Sequence, residues 1–109
     1  MTNSEQSDPL RNTDEFAARN ESELLIKSVC KSIERTLIEK NRAYGDSAFN
    51  PVRIFSRSSV DEQLRVRIDD KLSRILRGDP DAFGEDVYAD LIGYLVLLIA
   101  TGRYADAKR

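Results

Sequence analysis

Residues 91–100 read LIGYLVLLIA, and this run constrains the fold more than any other part of the chain. From Val87 onward a helix through it is apolar nearly all round, and a helix apolar on every side must be buried on every side. The chain has 109 residues, enough for one small domain. Two further helices of similar length cannot cover the third well. A three-helix chain of this size also buries little surface alone. The expectation is a homo-oligomer whose interface includes this helix. The run is about half the ~20 residues that a membrane span needs, and Gly93 and Tyr94 interrupt it. No membrane association is therefore expected.

The remaining periodicity gives two more helices. Leu25, Val29, Ile33 and Leu37 recur every four residues, with Ile26 and Cys30 beside them. This helix is predicted to start near Asn20 or Ser22 and to run to about Asn41. Lys27, Lys31, Glu34 and Arg35 fall on its opposite side. Lys40 projects toward the apolar side, which fits both a snorkelling lysine and one aimed at a site. The second helix is predicted to start near Ser58 or Ser59, with Asp61 and Glu62 in its first turn. Val60, Leu64, Ile68, Leu72 and Ile75 make its buried stripe, and Gly78-Asp79-Pro80 ends it. The third helix is predicted over about 84–102. Between the first two lies a segment rich in turn formers, Gly45, Asp46, Asn50 and Pro51. It also holds Tyr44, Phe49, Val52, Ile54 and Phe55, which predicts that it packs down on the helices. Residues 1–19 are polar and read as a flexible arm. The fold class is all-α: a small bundle of three main helices over residues 20–109, with antiparallel neighbours joined by one long packed loop.

Composition narrows the chemistry. There is no His, which removes the commonest general base and the commonest metal ligand. The one Cys excludes an internal disulfide and a Cys-based zinc site. Against 17 basic residues stand 19 acidic ones, a net charge of -2 that argues against general nucleic-acid binding. The first fifteen residues carry no apolar stretch of the kind a secretory signal needs. Cytoplasmic residence is expected.

Asp90 is the most informative residue. A carboxylate between Ala89 and Leu91 on a buried helix is costly unless it is paired or holds a metal. Its candidate ion-pair partners are Arg67, Lys71 and Arg74, on one edge of the second helix. The alternative is a Mg²⁺ site. Asp86 and Asp90 share one helix face at i, i+4, Asp70 can approach from the neighbouring helix, and Glu85 sits at the edge of the set. Hard oxygen ligands without His suit Mg²⁺ or Mn²⁺, which complete their shells with water and substrate phosphates. The cations Lys40, Arg42, Arg67, Lys71 and Arg74 suit those phosphates. Tyr44, Phe49 and Phe55 offer a surface on which a base can stack. No Gly-rich phosphate loop is present.

The blocks KNRAYGDSAFNPVRIFS, RIDDKLSRI and EDVYADLIGYLVLL, in this order, resemble a family of small, mostly phage-encoded helical proteins. These are the MazG-like, nucleotide-modification-associated proteins, grouped with the all-α nucleoside triphosphate pyrophosphohydrolases. The resemblance covers about residues 34–99. It implies helical subunits in dimers or tetramers, residence in an infected bacterial cell, and a nucleotide ligand. Better-studied relatives cleave nucleoside triphosphates with Mg²⁺. Under that reading Asp70, Asp86 and Asp90 hold the metal and Glu85 orients the attacking water. Lys40, Arg42, Arg67, Lys71 and Arg74 then bind phosphate. The chain departs from the wider superfamily, whose active members carry a Glu-Glu-x-x-Glu motif. Where the first acidic motif is expected, this chain has Arg67, Asp70, Lys71 and Arg74. Exchanging carboxylates for cations weakens metal binding and strengthens direct phosphate binding. Three functions follow as expectations: a Mg²⁺-dependent pyrophosphohydrolase acting on a nucleotide that is modified or not, a protein that sequesters a linear or cyclic nucleotide signal without turnover, and a helical scaffold.

Overall fold

The structure is a computed structural model, described for residues 17–79, 84 and 86–109. Among the described residues it contains three α-helices and no strand: α1 Glu21–Ala43, α2 Val60–Arg77 and α3 Val87–Ala107. This is the all-α architecture that the periodicity predicts. The chain divides into two compact units, Met1–Cys30 and Lys31–Arg109, and the boundary falls inside α1. The predicted arm lies mostly on residues 1–16, outside the described residues.

In the first unit, Asn20 caps α1. Its Oδ1 accepts the Glu23 N–H at 2.9 Å, and the Glu23 carboxylate accepts from the Arg19 N–H at 3.1 Å. These side chains satisfy donors that a helix start leaves open. Leu24, Leu25, Ile26 and Val29 are exposed. The predicted apolar stripe of α1 is therefore covered only in its second half, where Ile33 and Leu37 are half-buried.

The second unit holds the core. Ser59 is the N-cap of α2, its hydroxyl accepting the Glu62 N–H at 3.0 Å. Leu64 and Val87 are buried, and so are Gly93 and Thr101 on α3. Thr101 turns its hydroxyl back to the carbonyls of Leu97 and Leu98, at 2.8 and 3.2 Å, so its burial leaves no donor unpaired. At Gly93 the helix has no side chain, and Leu37 of α1 occupies the space. A methyl group added there would lie 3.1 Å from Leu37 Cδ2.

Two expectations need correction. The helix expected to end at Gly102 continues to Ala107, and within the added turn the Tyr104 ring meets Phe49 edge-on, with centroids 5.5 Å apart. Full length also makes α3 long and apolar enough, by length and composition alone, to cross a bilayer, whereas residues 91–100 alone suggested half a span. The segment 44–59 packs down only in part. Ala48, Phe49 and Pro51 are half-buried, but Val52 and Ile54 are exposed and Phe55 is 99% exposed.

Candidate functional site

A cavity of about 650 Å³ lies within the second unit, between the C-terminal half of α1, the start of α2 and one face of α3. Helical spacing explains its first wall. Ser32, Thr36 and Lys40 follow one another at i, i+4 along α1, so all three reach the same side. Gln63 and Arg67 repeat that spacing on α2, and Asp90 and Tyr94 repeat it on α3. Leu37, Leu64 and Leu97 supply the apolar floor.

The fourth wall is the turn after α1, where Tyr44, Ser47 and Ala48 line the cavity. Its shape depends on Gly45 and Asp46, both at a φ of 63°. Two successive left-handed residues reverse the chain sharply. Gly tolerates this conformation freely, and Asp is among the few side chains that adopt it. Asp46 is also tied on both sides. Its carboxylate accepts from Asn41 Nδ2 at 3.0 Å and from Asn50 Nδ2 at 2.7 Å. Its own N–H donates to the Asn41 carbonyl at 2.9 Å.

The predicted site residues divide into several groups. Lys40, Arg67, Tyr44 and Asp90 line the cavity together. Of the three cations proposed as partners of Asp90, the ion pair forms with Lys71, Nζ to Oδ2 3.3 Å, with both side chains mostly covered. Arg74 is half-buried on the same edge of α2, outside the cavity lining, and Arg42 is exposed and also outside it. Phe49 is engaged with Tyr104, and Phe55 stands in solvent, so neither joins Tyr44 as a stacking surface. Glu85 lies outside the described residues.

The three aspartates are not brought together. Asp70 is exposed and does not line the cavity. Asp86 is the N-cap of α3, its Oδ1 accepting the Ala89 N–H at 3.0 Å. A carboxylate at that position satisfies an open donor and complements the helix dipole. Among the described residues no three acidic or thiol side chains form a metal-holding group. Among the described residues the cavity wall offers one carboxylate, Asp90, already engaged by Lys71. A cap and a ligand are separable by experiment. Asp86→Ala is expected to lower stability by about 1 kcal/mol, and Asp86→Asn to retain most of it, because asparagine caps nearly as well. Urea denaturation of both variants, with and without Mg²⁺, checks this.

Sequence reasoning gave Tyr94 no role, although it lies one turn beyond Asp90. The Arg67 guanidinium carbon stands 5.9 Å from the Tyr94 ring centroid, within cation–π range. The contact holds Arg67 at the wall without neutralising it. Among the described residues, Arg67 and Lys40 have no ion-pair partner. One titration shift stands elsewhere among the described residues: Arg65 Nε donates to Asp61 Oδ2 at 2.7 Å, and this contact holds the guanidinium pKa above its ordinary value. Neither residue lines the cavity.

No protein-family model, curated protein or solved structure matches this chain.

Proposed function

We propose that this protein binds a nucleotide in the cavity between α1, α2 and α3, and holds it without cutting it. The observation that carries this reading is the pairing of Lys40 and Arg67, two cations without a carboxylate partner among the described residues, around a cavity of about 650 Å³. The volume is in the range of small-molecule sites. Lys40 and Arg67 engage the phosphates by charge-assisted hydrogen bonds. The Tyr44 ring is offered to a base, while the Tyr94 ring holds Arg67 in place. Ser32, Thr36 and Gln63 supply hydroxyl and amide groups for the sugar and base edges. Asp90 serves as the counter-ion that keeps Lys71 in place.

The ordered blocks of residues 40–56, 67–75 and 85–98 support a MazG-like relationship and a phage setting. The same blocks keep a second reading in view, Mg²⁺-dependent pyrophosphohydrolysis, because Asp90 does line the cavity. The two cations on the wall, Lys40 and Arg67, favour direct binding of phosphate.

Calorimetric titration with linear and cyclic nucleotides tests the choice, first in EDTA and then in Mg²⁺, with each ligand checked afterward by chromatography. Binding in EDTA with intact ligand is expected. Consumption of a nucleoside triphosphate only in Mg²⁺ would return the site to the pyrophosphohydrolases. No heat from any nucleotide in either condition would overturn nucleotide binding altogether.

A further inference from the structure

Two rungs cross the seam between α2 and α3. In the first, the Arg67 guanidinium carbon stands 5.9 Å from the Tyr94 ring centroid. In the second, Lys71 Nζ stands 3.3 Å from Asp90 Oδ2. Arg67 and Lys71 are one turn apart on α2, and Tyr94 and Asp90 are one turn apart on α3, so adjacent rungs are neighbours at about 5–6 Å between Cβ atoms. The rungs differ in charge. A neutral ring leaves the charge of Arg67 available, whereas Lys71 and Asp90 offset each other. They also differ in what reaches the cavity, because Asp90 lines it and Lys71 does not. One turn along the wall from Arg67 a ligand therefore meets a carboxylate. One turn the other way it meets Gln63, which is neutral. On α1 the wall offers Ser32, Thr36 and Lys40, and of these three Lys40 alone is charged.

We infer that the nucleotide is a nucleoside monophosphate, and that Asp90 sets this limit by repelling any further phosphate. The inference rests on the nucleotide reading and narrows it. A phosphate monoester carries a charge of about −1.5 to −2 at neutral pH, which Lys40 and Arg67 together match. Each further phosphoryl group adds negative charge. Among the described residues the lining holds no third cation to receive it, and Asp90 stands one turn from the ring that carries Arg67. Like charges repel more strongly in a partly covered cavity than in bulk water. A neutral donor suits Asp90 better. Lys71 engages Oδ2, and no described residue donates to Oδ1, so that oxygen is left to accept from a sugar hydroxyl. The rings limit the ligand to one base. Among the described lining residues Tyr94 is taken by Arg67, and Tyr44 is the one aromatic ring left open. A cyclic dinucleotide matches the charge but brings a second base.

Titration calorimetry of the full chain in EDTA, where no bound ion offsets ligand charge, tests this. The probes are the 5′-mono-, di- and triphosphates of adenosine, guanosine, cytidine and uridine, with cyclic diadenylate and cyclic diguanylate beside them. For the base that binds best, the monophosphate is expected to bind about tenfold or more tighter than the triphosphate, with the diphosphate between. Asp90→Asn keeps the shape and removes the charge, and is expected to shrink that preference to about threefold or less. Asp90→Glu keeps the charge and is expected to keep the preference. Should Asp90→Asn lose its helical circular dichroism, competition on the wild type replaces it. Inorganic phosphate is then expected to displace the bound monophosphate at a lower concentration than tripolyphosphate does. A triphosphate bound as tightly as the monophosphate overturns the inference and leaves nucleotide binding standing. So does a preference unmoved in Asp90→Asn or lost in Asp90→Glu, a cyclic dinucleotide bound more tightly than every monophosphate, or displacement led by tripolyphosphate. No heat from any of these ligands overturns the nucleotide reading itself, and this inference with it.

Discussion

Arg67→Glu is expected to weaken nucleotide binding by about a hundredfold or more, and to leave the helical fold intact. Arg67 is exposed on α2 at the cavity wall, so the substitution buries nothing new. Its removal deletes a charge-assisted hydrogen bond to phosphate, which contributes about 1.5–3 kcal/mol. That range alone corresponds to roughly 10–150-fold in affinity. Reversing the charge adds repulsion between Glu and the phosphates. Lys40→Ala, across the cavity, is expected to cost less, about tenfold, because an ammonium on a flexible stem is a less preorganised donor than a guanidinium. The Tyr94 ring has a separable part in this. Tyr94→Leu leaves the charge of Arg67 in place and removes the surface against which it rests, so its effect on affinity is expected to fall between wild type and Arg67→Glu. Titration calorimetry in EDTA reads all three. Raising salt is expected to narrow the differences, since the charges involved are partly screened by solvent. Wild-type affinity in Arg67→Glu would remove the phosphate role from this residue.

The sequence revealed local features better than partners. The start of α2 at Ser58 or Ser59 was legible because capping depends on residues within one turn. The wheel of α3 was legible as apolar all round, and that pointed to burial beyond one chain. Asp90 was legible as needing a partner, but Arg67, Lys71 and Arg74 lie on one edge of the same helix, and only packing selects Lys71. Asp86 shows a deeper ambiguity. A carboxylate one turn before another reads equally as a metal ligand and as an N-cap, and the choice depends on where the helix begins. Tyr44, Phe49 and Phe55 share one turn-rich segment and one aromatic character, yet one lines the cavity, one packs on Tyr104 and one faces solvent. Composition carries no information about that division. Gly45 and Asp46 were legible as turn formers. Their pairing in left-handed geometry, which aims Tyr44 and Ser47 at the cavity, was not.

Gly93→Val is expected to destabilise the protein by about 1–3 kcal/mol, the usual range for overpacking a filled site, and to weaken ligand binding with it. Gly93 is buried, lines the cavity, and faces Leu37 at 3.1 Å from where its Cβ would be. The variants form a graded series. Gly93→Ala brings one methyl into that contact and gains up to about 1 kcal/mol of helix propensity. Because the opposing atom is the end of a flexible side chain, Leu37 can give by a few tenths of an ångström, and the net change is expected near zero. Valine adds two more methyls, which Leu37 cannot accommodate without α1 moving away from α3 and changing the cavity wall. Leu37→Ala in the Gly93→Val background removes the opposing branch, so the double variant is expected to be more stable than the sum of the single changes by about 1 kcal/mol. Gly102→Ala controls for propensity, since nothing lies within 4 Å of a Cβ added there; it is expected to stabilise by up to about 1 kcal/mol. Thermal and urea denaturation of the four chains measure the coupling. Strict additivity between Gly93→Val and Leu37→Ala would mean that the two helices do not meet at this point, and the cavity between them would lose its wall.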